Sequence, residues 1–259
     1  DLSLLTGDPS QRREVLDLEL LRLKPQLTPV YAQFGNALRQ RNRTLKLLYP
    51  MPGQRKADAA ELEKALEVYT QQVVTAGALV MRERRGLTTV LDGHFTALYS
   101  GLAPPGGESI SLRYVSGVEL KQDDAVVENY RRLLDDAAGK DANLRYTSVG
   151  PHRDDLGFIL APAHDLRRYG SQGQMRSAVL AFRLALCNLS QQRLSDDPIL
   201  LLDDALSEMD DARKQRLLKL CAQRTQVFIT SASEREVELI APLATAVYQV
   251  QDGGVERVK

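Results

Sequence analysis

Apolar residues recur at helical spacing through the first half of the chain. Between residues 11 and 49 they return every three or four positions, and Pro25 and Pro29 interrupt the run. A proline inside a helix removes a hydrogen bond and clashes with the preceding turn, so the pattern predicts two helices, the first with Ser10 as its N-cap. A longer helical pattern covers residues 57–91.

Shorter patterns follow this long helix. Residues 109–116 alternate apolar and polar side chains, which predicts a strand. A third helical pattern covers residues 123–138, with Asp123 or Asp124 as its N-cap. The polar stretch at 139–143 is interpreted as a hinge between two parts of the chain.

The second half alternates strands with helices. Its pattern predicts helices at 173–194, 211–224 and 234–240, strands at 199–202 and 227–230, and a hairpin formed by 247–250 and 255–258. A short run that is apolar at every position is typical of a strand covered on both faces of a parallel sheet. Strand–helix alternation favours a doubly wound α/β domain, which follows a mainly helical first lobe.

Composition narrows the class of protein. A hydrophobic content of 43% and a charged content of 26% are those of an ordinary soluble globular protein. No apolar run reaches the roughly 18 residues of a membrane span. Cys187 and Cys221 lie within apolar helical patterns, so we expect two reduced core thiols rather than a disulfide. These observations predict a cytoplasmic protein without a membrane partner.

Charge is balanced over the whole chain but not locally. The 34 basic and 34 acidic residues cancel, so any contact with nucleic acid must come from a local patch. The most basic stretch has no acid between Pro25 and Pro50, and it contains Arg39, Arg41, Arg43 and Lys46. A solvated helix face is the ordinary interpretation of such a cluster. The alternative is a DNA-binding surface that contacts phosphates.

The clearest chemical signal lies between residues 171 and 210. Ser171-Gln172-Gly173-Gln174, hereafter the signature segment, opens a helix, where backbone amides can approach a phosphate. Asp203 and Asp204 follow the apolar strand, where paired acids can hold a hydrated Mg²⁺ ion and orient a water molecule. Ser207-Glu208-Met209-Asp210 comes directly after them.

A second polar cluster occupies residues 150–155. It places His152, Arg153 and two acids beside a glycine-proline turn. Two interpretations stay open, a buried polar network and a contact to nucleotide or DNA. The chain has three histidines, none of them at metal-ligand spacing, which disfavours a zinc site.

The order and spacing of these segments resemble a known superfamily. The signature segment, the strand with Asp203 and Asp204, and residues 207–210 are similar to the signature motif, Walker B motif and D-loop of ATP-binding-cassette (ABC) ATPases. Residues 1–17, 150–156 and 201–210 resemble the characteristic segments of the bacterial RecF family. Residues 207–210 are called the D-loop segment from here on.

The resemblance implies an ABC-type ATPase head of α/β class, P-loop NTPase-like, with a mainly helical second lobe. Residues 1–143 correspond to the helical arm lobe, a shortened version of the arm in Rad50 and SMC proteins. Residues 144–259 correspond to the C-terminal part of the head. The Walker A pattern G-x-x-x-x-G-K-[S/T] is absent, so we expect a fragment that is incomplete at its N-terminus and inactive alone.

The resemblance also implies roles for individual residues. Asp203 corresponds to the residue that holds Mg²⁺, and Asp204 to the catalytic residue that polarises the attacking water. The residues that correspond to contacts with ATP bound by the opposite subunit are Ser171, Gln172, Gly173, Gln174, Ser207 and Asp210.

As a whole, the resemblance implies an ATP-dependent DNA-binding protein of recombinational repair and replication restart. ATP would drive a homodimer that acts as a clamp on DNA, at junctions of single-stranded and double-stranded DNA or on gapped duplex, with slow DNA-dependent hydrolysis. The implied partners are RecR and, indirectly, RecO and RecA.

Two alternatives remain at this stage. Ser231 stands where many ABC ATPases have a γ-phosphate-sensing histidine, and Asp204 where many have glutamate, which favours a non-hydrolysing, nucleotide-switched binding module. The other alternative is the nucleotide-binding subunit of an ABC transporter. The long helical insert and residues 150–156 argue against it.

Overall fold

The chain forms two compact units. The computed structural model describes residues 2–51, 58–120, 125–194, 198–207, 209–222 and 226–259. Unit 1 comprises residues 1–93 and 110–170, and unit 2 comprises residues 94–109 and 171–259. The sequence predicted lobes at 1–143 and 144–259, and these bounds differ from those of the two units. The lobes stay a prediction.

Unit 1 is mainly helical and contains a three-stranded sheet. Its elements are α1 (Ser3–Thr6), α2 (Pro9–Leu23), a 3₁₀ turn (Pro25–Leu27), α3 (Thr28–Leu48), the part of α4 (Ala59–Leu102) up to Gly93, β1 (Ile110–Val115), α5 (Val126–Asp136), α6 (Ala138–Leu144), β2 (Asp155–Leu160), β3 (His164–Asp165) and α7 (Leu166–Tyr169). The sheet order is β1-β2-β3 and both pairs are antiparallel.

The break predicted at the first prolines is confirmed. The 3₁₀ turn that starts at Pro25 separates α2 from α3. Pro29 lies in the first turn of α3, where its missing N–H would have no intrahelical partner in any case. The predicted cap was wrong, because Asp8 rather than Ser10 caps α2 and accepts a hydrogen bond of 2.7 Å from the Ser10 amide.

Two other boundaries differ from the prediction. Helix α4 continues past residue 91 to Leu102, because no proline stops it before Pro104. The predicted hinge at 139–143 is wrong, since these residues lie inside α6. The caps proposed at Asp123 and Asp124 lie outside the described residues.

The core of unit 1 lies where α3, α4 and α5 bring apolar side chains together. Phe34, Val73, Met81, Tyr130 and Leu134 are all buried in one cluster. The cluster also contains Ala37, Val74, Ala76, Ala78 and Val126. With these residues the buried positions recur at three- and four-residue spacing, so one stripe of each helix faces the core.

Unit 2 contains the parallel strands that the pattern predicted. Its elements, after the end of α4, are α8 (Gln172–Leu194), β4 (Leu200–Asp203), α9 (Asp211–Cys221), β5 (Val227–Thr230), α10 (Glu234–Ile240), and the hairpin of β6 (Tyr248–Gln251) and β7 (Gly254–Arg257). Strands β4 and β5 pair in parallel, from Leu200 opposite Val227 to Asp203 opposite Thr230. Neither Cys187 nor Cys221 forms a disulfide.

The expectation that both faces of β4 are buried is wrong for this chain. Leu200 and Leu202 are buried, whereas the side chain of Leu201 between them is 70% exposed. Phe228 on β5 is 51% exposed. Among the described residues only one face of this sheet is covered. The side chains of β4 are therefore buried and exposed in alternation, although its apolar run is continuous.

Candidate functional site

The signature segment forms a reciprocal cap at the start of α8. The Gln174 amide donates to Ser171 Oγ at 3.2 Å, and the Ser171 amide donates to Gln174 Oε1 at 2.8 Å. Gln174 Nε2 also donates to Glu108 Oε2 at 3.1 Å. This capping box fixes the first helical turn. Ser171 and Gln172 are exposed, so the positive end of the helix dipole faces solvent, where an anion can approach.

The two acids lie at the carboxyl end of β4, as predicted. Asp203 Oδ1 accepts a hydrogen bond from Thr230 Oγ1, which lies at the end of the neighbouring strand β5. Thr230 Oγ1 in turn accepts from the Asp204 amide at 3.2 Å. Both carboxylates are exposed, because the ends of parallel strands form an open edge.

A sharp turn directs the chain away from the strand after Asp203. Asp204 adopts the left-handed backbone conformation with φ of 48°. Ser207 Oγ donates to the Asp204 carbonyl at 3.0 Å and closes the turn. Aspartate is among the few non-glycine residues that adopt this conformation readily, because its short side chain hydrogen-bonds locally.

The D-loop segment ends in the cap of α9. Asp210 Oδ1 accepts from the Arg213 amide at 2.8 Å, and Asp210 Oδ2 lies 3.3 Å from Arg213 Nε. Ser207 and Asp210 are both exposed. The side chains that the resemblance assigns to nucleotide contact in this segment are therefore accessible.

The residues present fit a hydrated magnesium ion. Mg²⁺ is commonly held by one or two carboxylates together with phosphate oxygens and water. Asp203 offers an exposed carboxylate at the strand end, and Asp204 lies next to it. Within the described ranges, no group of three or more His, Cys, Asp or Glu side chains is arranged so that it could hold a metal ion.

A buried network that begins directly after β5 was not predicted from the sequence. Ser231 Oγ donates to Glu236 Oε2 at 2.6 Å, and Lys214 Nζ donates to Glu236 Oε1 at 2.7 Å. These hydrogen bonds, that from Lys214 first, lower the pKa of Glu236. Ser231, which follows β5 where a sensing histidine is common in ABC ATPases, is thus held by a neighbouring acid.

Residues 150–155 form a polar network inside unit 1. Arg12 Nε donates to Asp155 Oδ1 at 2.7 Å, and Arg13 Nη1 donates to the Asp154 carbonyl at 2.7 Å. Tyr114 donates its hydroxyl to Asp154 Oδ2 at 2.6 Å. Burial raises the pKa of Asp154. Of the two open interpretations, the structure favours the buried network, which joins the arginines of α2 to this segment.

The predicted DNA-binding cluster requires one correction. Arg41 is only 3% exposed, and its Nη1 donates to Asp141 Oδ2 at 2.8 Å and to Thr147 Oγ1 at 2.7 Å. Arg41 Nε donates to Thr70 Oγ1 at 3.0 Å. A guanidinium enclosed by these partners cannot reach a DNA phosphate, so Arg41 is a structural residue.

The other members of the cluster are exposed on α3. Arg39, Arg43 and Lys46 lie three or four residues apart, so they share one side of the helix. Lys46 also lines a cavity of about 300 Å³ together with Arg145. Arg145 follows the last residue of α6 and adopts the left-handed conformation, with φ of 60°. Its position near Lys46 was not predicted from the sequence.

Comparison with known proteins identifies relatives. No family model matches the chain. The protein named DNA replication and repair protein RecF in Lysinibacillus sphaericus (strain C3-41) is 32% identical over 261 residues, which cover 99% of this chain and 68% of that protein. The protein of the same name in Geobacillus kaustophilus (strain HTA426) is 32% identical over 258 residues, covering 98% and 67% of the two chains.

Two solved structures are similar over the whole chain. One, described as the recombination mediator protein RecF with ATP in the RecFOR pathway, has a TM-score of 0.78 and 26% identity, and the match covers 65% of it. A second, RecF-ATPrS, has a TM-score of 0.77 and 27% identity, with 66% covered. The chain thus spans about two thirds of the length of these relatives.

Two further findings concern the class of protein. None of the helices in the described ranges is long and apolar enough to cross a membrane. The likeness to RecF structures confirms the predicted ABC-type ATPase-head fold of mixed α/β class. With 32% identity over nearly its whole length, the chain belongs to the RecF family of DNA replication and repair proteins.

Proposed function

We propose that the complete protein is an ATP-dependent DNA-binding protein of recombinational repair and replication restart, in which ATP joins two subunits into a clamp on DNA. The observation that carries the proposal is that side chains from all three segments are exposed within unit 2, namely Ser171, Gln172, Asp203, Asp204, Ser207 and Asp210. Their relatives supply the context, because RecF proteins are named for replication and repair and a solved RecF structure contains ATP.

In this proposal the signature segment contacts the phosphates of ATP held by the opposite subunit. The Ser171 hydroxyl accepts a hydrogen bond from the Gln174 amide. A serine hydroxyl has one donor and two acceptor sites, so Ser171 can still donate its hydrogen to a phosphate oxygen. The amides of the first turn and the helix dipole add to the attraction.

We propose different roles for Asp203 and Asp204. In this proposal Asp203 holds Mg²⁺, which when bound would neutralise charge on the phosphates. Asp204 orients and polarises a water molecule in the same proposal. Its carboxylate is exposed, and the Thr230 hydroxyl, which accepts from the Asp204 amide, fixes its backbone. We propose slow turnover, because the position after β5 has Ser231 in place of a histidine.

DNA binding is assigned to Arg39, Arg43 and Lys46. These side chains are exposed on one side of α3, and no acidic residue lies between Pro25 and Pro50. Arg145 extends the set, since it shares a cavity with Lys46. A substitution of all three α3 residues by alanine should reduce the slope of log K against log salt by about 2–3, the value for three phosphate contacts. An unchanged slope would contradict the assignment.

The partners proposed for this assembly are those of the RecFOR pathway, in which one of the solved relatives is described. We propose that the complete protein acts with RecR, and through it with RecO, in loading RecA. Pull-down of purified RecR by the complete protein, with and without DNA and ATP, tests the first step. Membership of the RecF family disfavours the transporter alternative.

Sedimentation of the complete protein with and without Mg-ATP tests the central claim. We expect ATP to drive dimerisation in the wild type, and the Ser171→Arg variant to stay monomeric while it still binds ATP. A wild-type protein that binds ATP and remains monomeric would exclude the nucleotide sandwich.

One alternative has a structural observation in its favour. Ser231 is held by Glu236, and no histidine stands at this position, so the nucleotide could act as a dimerisation switch without turnover. Measured ATP turnover that is lost in Asp204→Asn excludes this alternative. Dimerisation without turnover in the wild type supports it.

A further inference from the structure

One arginine of unit 2, Arg213, contacts both the signature segment and the D-loop segment, which are the segments proposed to meet the ATP of a second subunit. Arg213 lies in the first turn of α9, and its guanidinium is against the backbone of Gly173 at the start of α8. A Cβ atom built on Gly173 would lie 2.1 Å from Arg213 Nη1 and 3.1 Å from Cζ. The guanidinium therefore occupies the space that any other residue at position 173 would fill.

The same arginine is tied to the D-loop segment. Asp210 Oδ1 accepts from the Arg213 amide at 2.8 Å, and Asp210 Oδ2 lies 3.3 Å from Arg213 Nε. The Arg213 side chain is 18% exposed and that of Asp210 is 59% exposed. Arg213 is thus largely enclosed, whereas its partner carboxylate faces solvent.

The location of this guanidinium has an electrostatic consequence. A cation beside the first turn of a helix is opposed by the positive end of the helix dipole. The Asp210 carboxylate offsets that repulsion in the structure. An anion at the signature segment would interact with the same guanidinium, and so would compete with Asp210 for it.

We propose that Arg213 is a positioning residue that couples the signature segment to the D-loop segment. An anion at Gly173 draws the guanidinium away from Asp210. The conformation of the D-loop segment then changes together with that of the start of α8. This proposal rests on the function proposed above, in which both segments contact a second subunit and its ATP phosphates. Glycine at position 173 then has a second task, since it admits this side chain.

The coupling can be measured without nucleotide. In hydrogen–deuterium exchange of the complete protein, Asp210→Asn should change the exchange rate of the amides at 172–176 by about threefold, because it releases the Arg213 side chain. In an Arg213→Ala background the same Asp210→Asn substitution should have no effect at 172–176. Equal effects in both backgrounds would overturn the proposal.

A matched control comes from an exposed pair in the same unit. Arg235 Nη2 lies 2.6 Å from Asp211 Oδ2, and its side chain is 79% exposed. Arg235→Ala should leave exchange at 172–176 unchanged. A change there equal to that of Arg213→Ala would mean that loss of any cation near α9 has this effect, and would contradict a specific coupling.

The second experiment measures ATP-driven dimerisation by sedimentation. Arg213→Ala and Asp210→Asn should each weaken the dimer by about tenfold, with a double variant no weaker than the single ones, since they break one coupled unit. Arg213→Lys keeps the positive charge but not the planar guanidinium with its paired N–H donors, and should recover only part of the lost dimer affinity. Binding of a fluorescent ATP analogue to Arg213→Ala at low protein concentration should be unchanged. Additive losses, or full dimerisation of Arg213→Ala, would overturn the proposal.

The two experiments separate this inference from the proposed function. If the wild type binds ATP but does not dimerise, the nucleotide sandwich fails. The exchange experiment then still decides whether Arg213 couples the two segments. If the wild type dimerises and exchange at 172–176 does not depend on Arg213, the sandwich stands and the coupling is wrong.

Discussion

Three arginines of unit 1 and two acids of unit 2 have opposite environments. In unit 1, Arg12, Arg41 and Arg84 are 1%, 3% and 5% exposed, and each is ion-paired with an acid. In unit 2, Asp203 and Asp204 are exposed at the end of a strand. The three arginines of unit 1 stabilise the fold, whereas the two acids of unit 2 are accessible to a ligand. Substitutions can test this difference directly.

The largest expected effect comes from the most enclosed ion pair. Arg41→Ala should lower the free energy of unfolding by about 3–5 kcal/mol, because it leaves the carboxylate of Asp141 buried without its partner. Asp141 is 0% exposed, so its carboxylate would remain in the protein interior without a cation beside it. Urea unfolding measures the change. Arg43→Ala, on the exposed side of the same helix, should stay within about 0.5 kcal/mol. Similar losses for both would contradict the burial of Arg41.

The turn that begins residues 150–155 should show the next largest effect. Gly150 has φ of 121°, and a Cβ atom there would lie 2.0 Å from the hydroxyl oxygen of Tyr130. Gly150→Ala should therefore cost about 1–3 kcal/mol in backbone strain alone, and more from the overlap with Tyr130. Thermal or urea unfolding measures the loss.

Gly139 offers a matched control for that substitution. It lies in α6, and a Cβ atom there would have no other atom within 4 Å. Gly139→Ala should stabilise by about 0.5–1 kcal/mol, because alanine is the better helix former. Destabilisation at both positions would show that the effect at Gly150 is not specific to its turn.

A smaller effect is expected in the pH dependence of stability. Burial raises the pKa of Asp154, so the folded state holds its proton more tightly than the unfolded state does. Its contribution to stability is present below the unfolded pKa of about 3.9 and is lost as the pH rises through the raised folded value. Asp154→Asn, which still accepts from Tyr114, removes this loss.

The difference in stability between Asp154→Asn and the wild type should therefore grow in favour of the variant as the pH rises from acidic values. Urea unfolding at several pH values measures it. Glu236 is a useful contrast, because its pKa is lowered by Lys214 and its contribution is lost in the opposite direction, as the pH falls. A difference that does not depend on pH would contradict the raised pKa of Asp154.

The smallest effect on stability is expected at the strand end of unit 2. Asp203→Asn and Asp204→Asn should each change the free energy of unfolding by less than about 0.5 kcal/mol, because both side chains face solvent. In the complete protein the same variants should lose ATP turnover. A large loss of stability would place these acids with the structural residues of unit 1 and remove the contrast between the units.

The fold was predictable where its determinants are close in sequence. The bounds of α8, β4, β5 and α10 differ from the predicted ones by at most one residue, because helical spacing and short apolar runs are local signals. The burial of β4 was not predictable in the same way. Which face of a strand is covered depends on neighbours that its own residues do not specify, and Leu201 is exposed for that reason.

The charged residues show the same limit. Arg41 was grouped with its neighbours on α3, but its partners Asp141 and Thr147 are 100 and 106 residues away. In the site, the S-x-x-Q spacing of Ser171 and Gln174 is a local signal and already matches a capping box. The contact between Gly173 and Arg213 carries no such signal, because it joins two helices separated by a strand.

The left-handed backbone at Asp204 has a consequence for how this position can evolve. With the catalytic role proposed for Asp204, selection would act there on two properties at once, the carboxylate and the ability to adopt φ of 48°. Asparagine and glycine suit the backbone but lose the charge, whereas glutamate keeps the charge and is less suited to the backbone. We expect saturation mutagenesis at this position to recover aspartate almost alone under selection for turnover. A change from aspartate to glutamate at this position would then require a second change, in the turn itself, before turnover is kept.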